Sequence, residues 1–166
     1  MNSIRGVVVL FVLFLLGGCY SFQDASFDPN LKTFTVDLFV NESSNTNPAL
    51  SQQFTESLKD KVISESNLRF IESQQADVVF SGAITRYQVE ALAPGANEVA
   101  DQNQLTMAVK VSFINNTKPG DTWEQTFSRF ANFESNLNFI NIEDELVTEI
   151  IRQLVDDIFR RAFVNW

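Results

Sequence analysis

Between Thr33 and Asn41 apolar and polar residues alternate, with Phe34, Val36, Leu38 and Val40 on one side and Thr33, Thr35 and Asp37 on the other. A period of two marks a strand with one buried face. Phe39 breaks the alternation; on the outer side it either covers a neighbour, meets a partner or stands as an isolated exposed aromatic. After Pro48 the period changes. Leu50, Phe54, Leu58 and Val62 recur at steps of four, joined by Ile63, while Glu56, Lys59, Asp60 and Lys61 take the opposite side. This predicts an amphipathic helix ending near Asn67, with Asn47 as its cap and Pro48 at its first position.

Leu68 to Glu72 is a short strand candidate, and Asp77 to Ala91 a longer one. In the longer run the apolar set moves from Val78, Phe80 and Ile84 to Tyr87, Val89 and Ala91, a change of parity that a one-residue bulge near Thr85 or Arg86 reconciles. Gly82, in its middle, marks a bend or a close backbone approach. Ala93 to Asn103, with Pro94, Gly95, Asn97 and Asp101, reads as a loop. Leu105, Met107, Val109, Val111 and Phe113 then alternate in the clearest strand pattern of the chain. Asn115 to Asp121 makes a turn, and Trp123, Phe127 and Arg129 continue one face of the next strand, so the two strands form a hairpin. Within that turn Asn115, Asn116 and Thr117 match the N-glycosylation acceptor pattern, for which the turn is the better account.

The last element is predicted to begin at Asn141 as a cap, with Glu143, Asp144 and Glu145 in its first turn and Arg160 and Arg161 closing it. Leu146, Val147, Ile150, Ile151, Leu154, Val155, Ile158, Phe159 and Ala162 form one wide apolar face, and acid at the start with base at the end suits the helix dipole. The order is strand, helix, three or four strands, helix. It points to an α+β two-layer sandwich, a mainly antiparallel sheet of four to five strands with two helices on one face. Residues 33–166 form a single domain, and no internal repeat or low-complexity segment interrupts them.

Ahead of the domain lies a different kind of sequence. Arg5 is followed by an apolar run from Val7 to Leu16 and then Gly17, Gly18 and Cys19. A basic head, a short apolar segment and a small-residue exit are the parts of a secretory signal, too short for a stable span. Leu16-Gly17-Gly18-Cys19 resembles the bacterial lipobox. That resemblance implies cleavage between Gly18 and Cys19, an S-diacylglycerol on the Cys19 thiol and an acyl group on the new amino terminus. Gly17 stands where Ala, Ser or Thr is commoner, and a plain cleaved signal or an uncleaved anchor is the alternative. Residues 1–18 are then signal peptide and 19–32 a lipidated linker. Tyr20 and Ser21, without an acidic cluster, give no surface-export tag, so the domain is expected to face the periplasm.

Removing the first 18 residues leaves 148 of the 166, enough for one real core. The formal net charge is −9, or −10 without Arg5, and so acidic a chain repels nucleic-acid backbones. Cys19 is the only cysteine, and histidine is absent, which removes the commonest metal ligand and general base. Glu143, Asp144, Glu145, Asp156 and Asp157 are the remaining candidates for acid–base chemistry, and they are better read as helix cap and solvated face. No catalytic, cofactor or metal site is expected.

With the elements placed, a wider similarity can be read. Cys19-Tyr20-Ser21-Phe22; Asn47-Pro48 onward to Leu58-Lys59-Asp60; Ala76-Asp77 with Gly82 and Tyr87; Asn103-Gln104-Leu105-Thr106; and Ile158-Phe159 to Asn165-Trp166 together resemble the lipopolysaccharide-assembly lipoprotein family, LptE, in its Bacteroidetes form. The resemblance covers nearly the whole mature chain. It implies a non-catalytic outer-membrane lipoprotein, a lipid-anchored plug seated in the lumen of an LptD-type β-barrel, which helps the barrel deliver lipopolysaccharide to the outer leaflet. Gln104 departs from the family pattern where a basic residue is usual, and Arg160 where an asparagine is usual. The first departure weakens a cationic lipopolysaccharide contact on that loop. Arg86, Lys110, Lys118 and Arg129 are the scattered candidates for a local basic patch. The rival function is a carrier holding an acyl chain between sheet and helices; sixteen phenylalanines either line such a cavity or make a dense core.

Overall fold

The structure, a computed structural model, describes residues 28–44, 47–92 and 102–164. In chain order these form β1 (Thr33–Val36), β2 (Val40–Asn41), α1 (Ala49–Glu65), β3 (Arg69–Phe70), β4 (Val78–Leu92), β5 (Gln102–Asn115), a 3₁₀ turn (Pro119–Asp121), β6 (Trp123–Glu134) and α2 (Phe139–Phe163). The sheet runs β3-β1-β4-β5-β6, with β2 continuing β1 alongside β4. It is open, since its outer strands do not pair with each other.

The α+β reading holds, but the sheet is mixed and six-stranded where a mainly antiparallel one of four to five strands was expected. β1 pairs in parallel with both β3 and β4, and β2 in parallel with β4, while β4, β5 and β6 form an antiparallel meander. The reason is the connection. β1 and β2 reach β3 and β4 through α1, and a strand–helix–strand crossover returns the chain in the same direction. Hairpin logic applies only after β4.

The first strand also departs from simple alternation. From Val36 to Val40 is four steps, whereas their partners Phe80 and Ala83 are three apart, so the segment between carries one extra residue. That residue reverses the parity. Phe39 turns inward and is fully buried, while Leu38 and Val40 are 63% and 56% exposed. Phe39 therefore covers a neighbour, but from the inner face: its ring lies 4.9 Å from that of Phe54, and its N–H donates to Thr55 Oγ1 at 3.0 Å. Burying one phenylalanine, worth about 1.5–3 kcal/mol, outweighs keeping a strand regular.

The bulge anticipated in β4 is present, a register shift between Ile84 and Arg86 that lets Phe80, Ile84 and Tyr87 all face the core. Gly82 marks a close approach, with φ at +157° and a would-be Cβ only 2.0 Å from the Lys110 carbonyl oxygen and 2.8 Å from Phe39 Cε1. β5 begins at Gln102, so Asn103 belongs to the strand rather than to the loop expected up to it. The expected strand over 68–72 shortens to Arg69–Phe70.

Both helices pack against the same side of the sheet and against each other. α2 starts at Phe139, not near Asn141, because Asn138 Oδ1 accepts the Ile140 N–H at 3.1 Å and Phe139 packs on Phe133 with ring centroids 5.6 Å apart. For α1 the cap position is Pro48, yet Asn47 still supplies an acceptor, its Oδ1 taking the Ala49 N–H at 3.0 Å. Phe34, Phe39, Phe54, Phe80 and Phe113 are fully enclosed between the layers, with Phe163 of α2 against Phe80 and Phe113.

Candidate functional site: the surfaces the fold leaves open

One face of the sheet carries the helices, and no element among the described residues covers the other side of the β4–β5–β6 meander, although Val79 and Ala108 on that side are buried. Strand alternation decides what it presents. Ser81, Ser112 and Glu124 form one row across it, and Ala83, Lys110 and Thr126 the next. Arg86, Ala108 and Ser128 follow, then Gln88, Thr106 and Phe130, and finally Glu90, Gln104 and Asn132. Hydroxyl and amide side chains dominate, some bonded to one another: Gln104 Nε2 donates to Asn132 Oδ1 at 2.9 Å. The charges cancel in place. Arg86 meets Glu90 at 2.9 Å and Lys110 meets Glu124 at 2.8 Å. The bond to Glu124 raises the Lys110 pKa, as expected for an ammonium that has gained a carboxylate. A chain of net charge −9 thus exposes a sheet face that is formally neutral. One aromatic, Phe130, stands out from it at 54% exposure.

Beside this face runs β6, whose outer edge has no strand partner among the described residues. Two polar residues of β6 point to the helix side. Arg129 Nε donates to Asp157 Oδ2 at 2.6 Å, and Gln125 Oε1 accepts from Arg161 Nε at 3.3 Å. The Arg161 guanidinium also lies 5.0 Å from the centre of the Trp123 ring.

The structure does not gather Arg86, Lys110, Lys118 and Arg129 into a patch. Each has its own carboxylate: Glu90, Glu124, Asp121 and Asp157 respectively. Gln104 lies on β5 and not on a loop, bonded across to Asn132. Cys19 and Gly18 lie outside the described residues.

Three of the five carboxylates named for acid–base chemistry have structural partners. Glu143 Oε1 accepts the Tyr87 hydroxyl at 2.6 Å; burial first, and then this neighbouring carboxylate, push the phenol pKa well up. Asp156 pairs with Lys61 and Arg152, and Asp157 with Arg129. The Lys61 pKa rises despite the opposing effect of its partial burial, because Asp156 and Glu65 both bond its ammonium. Glu145 and Asp144 face solvent, with Asp144 giving its backbone carbonyl to Thr148. Among the described residues no group of three or more acidic or thiol side chains is placed to hold a metal ion.

Two polar clusters fasten one end of the sheet. Asp77 Oδ2 accepts from the Lys32 and Thr33 amides, both at 2.9 Å, and from Thr33 Oγ1 at 3.0 Å. The Lys32 amide is the largest cause of its lowered pKa, with Thr33 adding to it. In the β5–β6 turn the buried Asn115 Oδ1 accepts from Thr117 N, Thr117 Oγ1 and Lys118 N, while Asn116 Nδ2 donates to the Gln74 and Ala76 carbonyls. Both asparagines are spent on holding the turn.

The phenylalanines between the layers pack on one another. Phe80 and Phe113 lie 5.2 Å apart by ring centroid, and Phe159 and Phe163 5.1 Å apart. The larger clefts open at the surface, about 460 Å³ beside β1 and about 430 Å³ between the helices.

Sequence reasoning missed a different gathering. The starts of β1 and β3, the β5–β6 turn and the last turn of α2 meet at one end of the molecule and bring Lys32, Arg69, Lys118, Arg160 and Arg161 there. These residues lie in four separate segments, so only the topology unites them.

Comparison with known proteins agrees with this architecture. The family model described as "LptE: Lipopolysaccharide-assembly" matches residues 31–162. No curated protein matches the chain. Among solved structures, the PelC dodecamer from Paraburkholderia phytofirmans is similar at a TM-score of 0.52 and 12% identity, covering 82% of this chain and 90% of that one. Uncharacterized lipoprotein B from Nitrosomonas europaea is similar at a TM-score of 0.52 and 10% identity, covering 86% and 87%. At these identities the likeness is one of fold.

Proposed function

Since the chain belongs to the LptE lipopolysaccharide-assembly family, we propose that it acts as a non-catalytic plug and assembly factor of an LptD-type β-barrel in the outer membrane. In this reading Cys19 carries the acyl groups, the domain faces the periplasm and enters the barrel lumen, and lipopolysaccharide passes beside it. The observation that supports the reading best is the open face of the meander, neutral within an acidic chain and rich in hydroxyl and amide groups. A barrel lumen is polar, so an inserted domain should offer hydrogen-bonding groups rather than apolar surface or unpaired charge. The barrel wall would also shelter the unpaired edge of β6.

The test is purification of the full-length chain from membranes under mild detergent, with mass spectrometry of its amino terminus. A stoichiometric large barrel alongside a triacylated Cys19 supports the plug. Lipid without a barrel points to the carrier instead, and a bare thiol removes the anchor. Cys19→Ala should release a folded, soluble periplasmic domain; recovery only as aggregate counts against a self-sufficient fold.

A further inference from the structure

We infer that the end of the domain carrying Lys32, Arg69, Lys118, Arg160 and Arg161 rests on the phosphate-bearing surface of the bilayer that holds the acyl groups. Charge is distributed along the strand direction. At this end the acidic groups are already engaged: Asp77 by backbone amides, Asp121 by Lys118, Glu65 by Lys61, and Asp28 by the amide and side chain of Asn30. Arg69, Arg160 and Arg161 have no carboxylate partner among the described residues, and all three are exposed. At the opposite end lie Glu42, Glu90, Glu134, Glu143, Asp144 and Glu145, with Arg86 as the counter-charge. A molecule polarised in this way turns its basic end to an anionic surface.

Chain entry points the same way. The described chain begins at this end with Asp28, which lines a cleft of about 240 Å³ together with Lys118, Trp123 and Arg161. Eight residues lie between Cys19 and Asp28, a reach of at most about 32 Å even when fully extended. Trp123, half-buried beneath the Arg161 guanidinium, is an amphipathic ring of the kind favoured at headgroup depth. The inference rests on acylation of Cys19 and not on the barrel partner.

The experiment uses the acylated full-length chain in phosphatidylethanolamine vesicles with and without phosphatidylglycerol. A single new cysteine carries a fluorophore at Gly120, where an added side chain meets nothing within 4 Å, or at Glu145 on the opposite end. Headgroup nitroxides should quench the label at 120 several-fold more than the label at 145, with added salt weakening the difference. Each basic group near an anionic leaflet favours contact by about fivefold, so Arg69→Gln, Arg160→Gln and Arg161→Gln combined should weaken it by on the order of a hundredfold. Arg161→Lys, which keeps the charge but loses the stacking fork, should retain most of it.

Equal quenching at the two positions overturns the inference, as does quenching at 120 that ignores the triple substitution. Quenching seen only in vesicles doped with lipopolysaccharide also overturns it, since the phosphates would then belong to the cargo. Mass spectrometry of the same sample reports the acyl groups, and barrel co-purification is scored separately, so loss of the plug reading is distinguishable from loss of this one.

Discussion

Gly82→Ala is the sharpest test of how β2, β4 and β5 are fitted together. The new methyl would sit 2.0 Å from the Lys110 carbonyl oxygen and 2.8 Å from Phe39 Cε1, at a φ of +157° that residues other than glycine rarely adopt. The backbone conformation alone costs about 1–3 kcal/mol. Relieving the carbonyl clash requires parting β4 from β5 where Gly82 opposes Val111, at a further cost of about 1–2 kcal/mol in ladder hydrogen bonds. The sum is about 2–5 kcal/mol, a large part of the roughly 5–15 kcal/mol that a domain has in total. In urea unfolding of a chain starting after Cys19, with a slope of about 2 kcal/mol/M, the midpoint should fall by about 1–2.5 M. Adding Phe39→Leu removes the ring atom but not the carbonyl, so it should recover less than about 1 kcal/mol. A loss below about 1 kcal/mol for Gly82→Ala, or near-complete rescue by Phe39→Leu, would refute the placement of the strain in the backbone.

Asp77→Asn should cost about 1–3 kcal/mol, because a carboxylate accepting three hydrogen bonds is replaced by an amide. Since the folded-state pKa of Asp77 is lowered, its contribution is present above the ordinary carboxylate range and lost as the pH falls through the folded value. The stability difference between the parent and Asp77→Asn should therefore shrink in acid, as read from urea midpoints taken between neutral pH and about pH 3. Tyr87 is the only tyrosine in a chain starting after Tyr20, so phenolate absorbance reports it alone. Its raised pKa means that the native protein should show no phenolate near pH 10, where an unfolded tyrosine is half ionised, and that this part of the stability is lost as the pH rises past that point. Asn138→Ala removes the acceptor for the Ile140 N–H and should lower stability by about 1 kcal/mol in thermal unfolding, whereas Asn141→Ala should change it by less than half as much.

Much of the architecture was readable because each side chain reported its own local surroundings. The four-step stripe of α1, the wide face of α2, the alternation of β5 and the parity change at Thr85 all follow from which residues water rejects. Gly82 signalled its close approach for the same reason, since only a missing side chain fits there. What could not be read was the outcome of competition between distant segments. Phe39 looked outward by alternation, but a pocket offered by Phe54 and Gly82 turned it inward. Strand direction depended on α1 carrying the chain back across the sheet, which no local period encodes. The start of α2 was misplaced by three residues because Asn138 and Asn141 are equally suitable caps in isolation, and contact between Phe139 and Phe133 favoured the earlier one. The basic residues singled out in the sequence proved to be paired, while those left without carboxylates are assembled only by the topology.

The guanidinium that β6 sends to the helix side has a bearing on solubility before any partner is met. β6 is a twelve-residue edge strand, and the backbone groups that it does not bond to β5 have no strand partner among the described residues, the sort of template on which identical chains stack into fibrils. A visiting strand that extends the sheet must lay its own inner side chains against Arg129 and Gln125 and against the α2 residues that hold them, which a greasy, indiscriminate intruder cannot do. The rim can therefore stay open in transit without recruiting copies of itself.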